Sequence, residues 1–441
     1  MRIGVITSGA AGMFCGSCMR DNALAAALNE LGHDALLIPT FTPIRTDEID
    51  VSEGQVFYGG INVFLEQKTW LFRHTPRWVD WLLNRPWLLR LATRRAVNTD
   101  YSDLAELTVS MLRGTHGHQK KELDRLIGWL RDEVKPDVLL MTNALLSGII
   151  PEVKRQLGIP VLTTLQGDDI FLDALPTDAR RLCLDEIIRN DRATDGYVAT
   201  SRDYADHLAG YLGISRGKVH VVYPGLNLKG HGGPRSERAG EPLAVGYFAR
   251  ICPEKGFHHI VDAFIELRKS PGSPPAKLRA AGWMGDHQRE YFEKQVRKLA
   301  DAGLGGDFEH VECPDHASKV RFLQSIDVLS VPTAFREPKG LYVLEAWANG
   351  VPVVQPRHGS FLELIEATGG GLLTEPGNTP DLAAAIRRLL DDPTLRTELG
   401  RNGQDAVRRR FTSRVMAEET IAILGRYVAA SPVPPAAASV S

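Results

Sequence analysis

The sequence predicts an α/β protein of two doubly wound halves, each a parallel sheet wrapped by helices. Three observations carry this expectation. Short β-branched or apolar runs alternate with amphipathic stretches of helical period, the order that yields parallel sheets with crossover helices. The chain has 441 residues, too many for one ordinary core, so two domains of roughly 200 residues each are expected. The alternation also pauses across a Gly-, Arg- and Pro-containing stretch, 227–242, and then restarts, which marks a linker.

In the first half, residues 3–7, 35–39, 137–141, 160–164 and 196–200 read as buried strands, with amphipathic segments such as 21–31 and 120–133 between them. The second series places strands at 243–248, 277–281, 327–331, 351–355 and 371–374. Parallel sheets take ligands beyond the carboxyl ends of their strands, so a ligand cleft between the halves is expected. Segment 412–427 follows Phe411 and reads as one more amphipathic helix, while 429–441 is rich in Ala, Ser and Pro, lacks core-forming residues and reads as a disordered tail.

Composition excludes several classes. Charges nearly cancel at a formal net of −2, so no global basic excess points to nucleic acid. The start, Met-Arg-Ile-Gly-Val-Ile-Thr, reads as a strand rather than a signal peptide, and no run of about 18 uncharged apolar residues follows. A cytoplasmic location is expected. Five cysteines make no disulfide framework. Cys15 and Cys18 form a Cys-x-x-Cys without the second pair a structural zinc site needs, and read as two small residues in a tight loop.

The most informative stretch is 335–355, Phe-Arg-Glu-Pro-Lys-Gly-Leu-Tyr-Val-Leu-Glu-Ala-Trp-Ala-Asn-Gly-Val-Pro-Val-Val-Gln. Glu337 precedes a Pro-x-Gly break, Glu345 follows eight positions later within an apolar helical run, and Asn349-Gly350 closes that run. A helix N-terminus presents unpaired N–H groups and positive partial charge, so a nucleotide diphosphate can dock there while flanking carboxylates hold sugar hydroxyls. On spacing alone, a solvated loop residue and a surface helix residue are the commoner explanation of the two acids. Upstream, Arg250 and Lys255 lie five residues apart across a strand-to-helix turn, where both heads can reach one anion, or else simply flank the turn in solvent. At the N-terminus, 8–18 is a small-residue loop between strand and helix, by itself a weak phosphate signal. After the strand at 160–164 come Gln166, which cannot exchange a proton at neutral pH, and then Asp168 and Asp169. Either acid serves as acceptor ligand, proton acceptor or helix cap.

These segments resemble glycosyltransferase family 4, the retaining nucleotide-sugar transferases that include glycogen- and sucrose-synthase-like enzymes. The Glu337-x7-Glu345 segment matches through its Gly, Leu, Ala and Pro positions, and 246–257 is similar to the family's Gly-Arg-x-x-x-Glu-Lys-Gly element. Tyr223-Pro-Gly-Leu-Asn227, Val331-Pro-Thr333 and the loop 357–363 resemble further family elements, with His358 a loop residue near the nucleotide. The resemblance implies the GT-B fold: Rossmann-like domains at 1–226 and 227–411 facing across a cleft, with the helix 412–428 crossing back to the N-terminal domain.

It also implies roles. Arg250 and Lys255 grip the donor diphosphate, Glu337 binds donor sugar hydroxyls, Glu345 the ribose, and Gly340 and Leu341 offer N–H groups to the phosphates. Gly16 is carried over as a backbone donor near those phosphates, although Cys15 stands where the family has a first glycine. Gln166 replaces the usual histidine, leaving Asp168 as the candidate acceptor-side catalyst. No Asp-x-Asp occurs, so no metal site and no resident cofactor are expected, with the nucleotide-diphosphate sugar as co-substrate. The reaction implied is transfer to a carbohydrate, lipid or small-molecule hydroxyl; a phosphorylase, a sugar-phosphate synthase or a binding-only relative is the alternative. Least family-like is 41–130, where 68–95 holds Trp70, Trp78, Trp81 and Trp87 with seven basic residues against Asp80. That composition suits packing of an inserted helical pair, acceptor stacking or peripheral membrane contact.

Overall fold

The structure is a computed structural model describing residues 1–9, 14–54, 56–58, 101–233 and 240–430. The basic, Trp-bearing stretch 68–95 and the tail from 431 lie outside the described residues. The described chain divides into two compact units, Met1–Val222 with Met416–Ser441, and Tyr223–Val415.

The first unit is built on a parallel six-stranded sheet: β1 Arg2–Thr7, β2 Asp34–Pro39, β3 Val138–Met141, β4 Val161–Leu165, β5 Gly196–Ala199 and β6 Val219–Val221, in the order β2-β1-β3-β4-β5-β6. Successive strand residues face opposite sides, so both faces must be apolar for helices to cover both. Ile3 and Val5 of β1 pack with Leu24 and Leu28 of the first helix, Gly16–Glu30, while Ile6 packs on the other face with Leu123 and Ile127 of the helix Lys120–Trp129. The last helix, Ser413–Ala430, places Met416, Ala417 and Leu424 in the first of these clusters, and its Tyr427 hydroxyl lies 2.8 Å from His220 Nε2.

The second unit carries β7 Leu243–Phe248, β8 Ala276–Ala281, β9 Phe308–Val311, β10 Val328–Leu329, β11 Val353–Pro356 and β12 Gly371–Thr374, also all parallel, in the order β12-β11-β10-β7-β8-β9. Its core is one continuous cluster centred on Phe257, Phe264, Trp347 and Phe361.

Each order reverses direction once, between β1 and β3 in the first sheet and between β7 and β10 in the second. Loops leaving two strands at such a point diverge to opposite faces and open a crevice at the carboxyl edge, the usual ligand position in doubly wound sheets.

Several boundaries differ from the sequence reading. β6 and β9 were not expected: both are edge strands, half-exposed, with His220 and with Glu309 and His310 interrupting the apolar pattern. β11 begins at Val353 because Pro352 has no N–H for the ladder. The first helix begins at Gly16 rather than Asp21, its opening turn hidden in small loop-like residues. The 120–133 segment is an α-helix only to Trp129 and continues as a π-turn through Val134.

Candidate functional site

In the second unit the reversal point brings together residues from both sequence motifs. The chain leaves β7, passes Arg250, makes a short 3-10 turn at Pro253–Lys255 and enters the helix Phe257–Lys269 through Gly256. Gly256 has φ +72°, and a Cβ there would stand 1.8 Å from the Pro332 carbonyl oxygen. Only glycine lets this turn lie against the segment that leaves β10.

That contact sets Lys255 opposite Glu337. Lys255 Nζ lies 2.6 Å from Glu337 Oε2, and the ammonium also sits over the rings of Phe335 (4.7 Å) and Tyr342 (5.2 Å). Tyr342 Oη donates to Oε2 at 2.9 Å, while the N–H groups of Lys339 and Gly340 point at Oε1 from 3.3 and 3.4 Å. Burial works to raise the Glu337 pKa, but the Lys255 charge and hydrogen bond, with smaller help from Lys339 and Tyr342, outweigh it and hold the carboxyl down to about 2. The loop 357–363 closes over the same place: Ser360 N–H donates to the Glu337 carbonyl at 2.8 Å, and Gly359, at φ +58°, has Glu337 backbone atoms where a Cβ would go. His358 Nε2 lies 3.0 Å from the Thr333 carbonyl and therefore carries the proton. Burial lowers the pKa of this imidazole, which favours its neutral form.

Of the expected residues, Lys255, Glu337 and Gly340 are thus placed together, with two adjustments. Lys255 is not an open cation beside Arg250, because its ammonium is held by Glu337; Arg250 is exposed and makes no side-chain hydrogen bond or ion pair among the described residues. The Gly340 N–H is directed at Glu337, leaving Leu341, first residue of the helix Leu341–Ala348, with an N–H that has no hydrogen bond among the described residues. Glu345 is buried one turn further along that helix. Its Oε1 lies 2.7 Å from Lys319 Nζ, with side chains 6% and 7% exposed. Lys319 comes from the helix His316–Gln324, whose start is fixed by an Asp315–Ser318 capping box. Sequence reasoning missed Lys319 because a lysine on an amphipathic helix ordinarily faces water.

The reversal point of the first unit is also polar and buried. Asp21 of the first helix accepts from Thr142 Oγ1 at 2.5 Å, from Arg20 Nη1 at 3.1 Å and from Gln166 Nε2 at 3.3 Å, joining the ends of β3 and β4 to the helix that follows β1. Gln166 Nε2 also donates to the Thr142 carbonyl at 2.9 Å. Gly16 opens the same helix, after Cys15 at the N-cap. The Cys18 thiol is buried; contact with the Cys15 thiol, then burial, pushes its pKa well above the usual thiol value. Asp168 begins the short helix Asp168–Asp173, but both its oxygens are taken by backbone: Ala144 N–H at 2.6 Å and Gln166 N–H at 3.1 Å. It braces the loops after β3 and β4 against each other. Asp169 is held by the Tyr204 hydroxyl and by His207 Nε2 at 2.9 Å.

Asp168 carries a pH signature. Burial raises its pKa from 3.8 to about 6, against the lowering effect of its backbone hydrogen bonds. A folded pKa above the unfolded value means stability fully present below about pH 4 and lost as pH rises through about 6, a loss of about 3 kcal/mol for a shift of this size. Asp168→Asn should be less stable than wild type at pH 4, where it lacks one acceptor, by about 1–3 kcal/mol. The gap should close toward pH 7. Urea denaturation of both proteins at the two pH values measures this; parallel pH profiles would contradict it.

Among the described residues, no group of three or more His, Cys, Asp or Glu is placed to hold a metal ion, and no helix is long and apolar enough to cross a membrane.

Residues 234–406 match the family model "Glycosyl transferases group 1", and residues 106–229 match "Glycosyltransferase Family 4". Among curated proteins, the chain is 29% identical over 223 residues to a glycogen synthase of Mycobacterium tuberculosis, covering 50% of this chain and 51% of that protein. It is 27% identical over 254 residues to a D-inositol 3-phosphate glycosyltransferase of Corynebacterium kroppenstedtii, covering 53% of each. The chain therefore spans about half the length of the curated relatives it matches. Among solved structures, HepE of Anabaena in complex with UDP aligns with a TM-score of 0.68 at 17% identity, over 97% of this chain and 100% of that one. Sucrose-phosphate synthase of Thermosynechococcus elongatus aligns with a TM-score of 0.70 at 18% identity, over 97% and 99%. These structural likenesses show the GT-B fold. With the two family models together taking in well over half of the sequence, the chain belongs to the family 4 glycosyltransferases.

Proposed function

We propose that the protein transfers a sugar from a nucleotide-diphosphate sugar to a hydroxyl acceptor, with retention of anomeric configuration and without a divalent metal or resident cofactor. The observation that carries this reading is the Lys255–Glu337 pair at the reversal point of the second sheet, beside the N-terminus of the helix that holds Glu345. A diphosphate leaving group gains negative charge in the transition state, and fixed positive groups in a water-poor site stabilise that charge most there. Arg250, the Leu341 N–H and the Lys255 ammonium supply them. Glu337, ionised at any physiological pH, is oriented by Tyr342 and Lys255 and takes donor hydroxyls in exchange for its two long backbone contacts. Glu345, fixed by Lys319, takes the ribose.

Relatives named for glycogen and inositol phosphate glycosyl transfer support a polyol or carbohydrate acceptor, and HepE solved with UDP supports a nucleoside diphosphate as the leaving group. The test is proton NMR of donor hydrolysis, in which water replaces the unknown acceptor. With an α-linked donor and excess EDTA, the first released sugar is expected in the α form with unreduced rate. First release as the β anomer, or loss of turnover with EDTA, would overturn retention or metal independence respectively.

A further inference from the structure

Arg20 is the least expected residue in the first unit. It lies in the second turn of a 15-residue helix and is only 1% exposed, yet among the described residues its one hydrogen-bond or ion-pair partner is the adjacent Asp21, reached through Nη1 at 3.1 Å. Nε and Nη2 are buried without a hydrogen-bond partner among the described residues. A guanidinium is costly to bury and has five donors, so buried nitrogens left unmatched point to an occupant that the described residues do not supply.

The identity of the two unmatched atoms narrows the occupant. Nε and Nη2 form the side-on fork of the guanidinium, whose parallel N–H bonds match two oxygens of a phosphate or carboxylate. Asp21 cannot fill that fork. Its oxygens are turned toward Thr142, Gln166 and Nη1, so the acid anchors one edge of Arg20 and leaves the other directed elsewhere.

Position supplies the second argument. Helix side chains lean toward the N-terminus of their helix, and Thr142 and Gln166 tie this pair to the carboxyl ends of β3 and β4. Arg20 therefore stands at the reversal point of the first sheet, on the side where the helix beginning at Gly16 presents its positive end. Cysteine occupies the N-cap, where Ser, Thr, Asp or Asn would close that end against a ligand.

We propose that the first unit holds an anion site of its own, in which the Nε–Nη2 fork of Arg20 grips a phosphate or carboxylate carried by the acceptor. Its assignment to the acceptor rests on the glycosyl transfer proposed above; the site itself does not.

The test titrates inorganic phosphate, and separately acetate, into the full-length protein at constant ionic strength set by chloride, following melting temperature and, for phosphate, the phosphorus-31 linewidth. A saturable response to either anion is expected in wild type, lost in Arg20→Met, while a nucleoside diphosphate still stabilises that variant. Which anion responds separates a phosphorylated from a carboxylated acceptor. Should Arg20→Met not fold, Arg20→Lys decides: it keeps the charge but not the fork, and should bind the anion about tenfold more weakly, the worth of one charge-assisted hydrogen bond. No saturable response in wild type would mean that water alone fills the place and would overturn the proposal, as would unchanged anion affinity in either variant. Loss of the anion and nucleoside diphosphate responses together in a folded Arg20→Met protein would assign the anion to the donor and also overturn a separate site. A phosphate or acetate response with no nucleotide response in wild type would leave this site standing while the donor reading falls.

Discussion

Lys255→Met is expected to lower kcat/KM for the donor by about 100- to 1000-fold, the effect of removing one preorganised group from a developing negative charge. The loss has two sources that separate experimentally. One is the missing cation at the leaving group, which lowers kcat at every pH. The other is Glu337, which loses the charge that keeps its buried carboxyl ionised. In wild type its folded pKa lies below the unfolded value of 4.5, at about 2, so its stabilisation is present above about pH 4.5 and is lost as pH falls through about 2. That stabilisation amounts to about 3 kcal/mol. Without Lys255, burial dominates and the Glu337 pKa climbs. The acid limb of the kcat/KM profile should then move to higher pH, with a lower melting temperature that recovers partly in acid. A Lys255→Met enzyme with wild-type kcat/KM and an unmoved acid limb would remove Lys255 from the site.

The second large effect is at Lys319. Lys319→Met keeps the length of the side chain but leaves Glu345 ionised, buried and without this cation, which typically costs about 3–5 kcal/mol. Glu345→Gln alone removes the carboxylate that Lys319 meets and should be costly in the same way. The double variant, Lys319→Met with Glu345→Gln, should regain much of the lost stability, because two neutral groups replace a desolvated pair, and the coupling can be read from a double-mutant cycle of urea midpoints. Donor affinity should not return with it, since the double variant lacks the carboxylate proposed to meet the ribose. Additive losses of stability would show that the two charges do not act as a pair. Recovery of donor KM in the double variant would show that Glu345 serves the fold and not the nucleotide.

These residues also show where sequence reading works in this protein and where it stops. Glu337, Glu345, Arg250 and Lys255 stood out because each sits in a short segment whose glycines and prolines mark a turn. The apolar runs around them imposed the parallel sheets with little ambiguity. What the one-dimensional pattern did not carry was pairing across distance. Lys255 and Glu337 are 82 positions apart, and nothing in either segment says that one neutralises the other. Lys319 reads as a solvated lysine until the helix Leu341–Ala348 is packed against it, and Arg20-Asp21 reads as the polar stripe of an amphipathic helix until the ends of β3 and β4 close over it. Asp168 illustrates the opposite case. A conspicuous acid after a strand invited a catalytic reading, while the loops give both its oxygens backbone partners. Edge strands β6 and β9 escaped notice because a strand with one wet side needs fewer apolar residues.

The second unit is proposed to be a donor clamp whose parts act through charge. Calorimetric titration of UDP-, GDP- and ADP-sugars into wild type and Lys255→Met, at a temperature where both are folded, tests it most directly. Saturable binding of at least one donor to wild type is expected, with binding weakened by tenfold or more in Lys255→Met, as the loss of one charge-assisted contact of about 1.5–3 kcal/mol requires. No binding of any nucleotide sugar to wild type, or equal affinity in the two proteins, would contradict it.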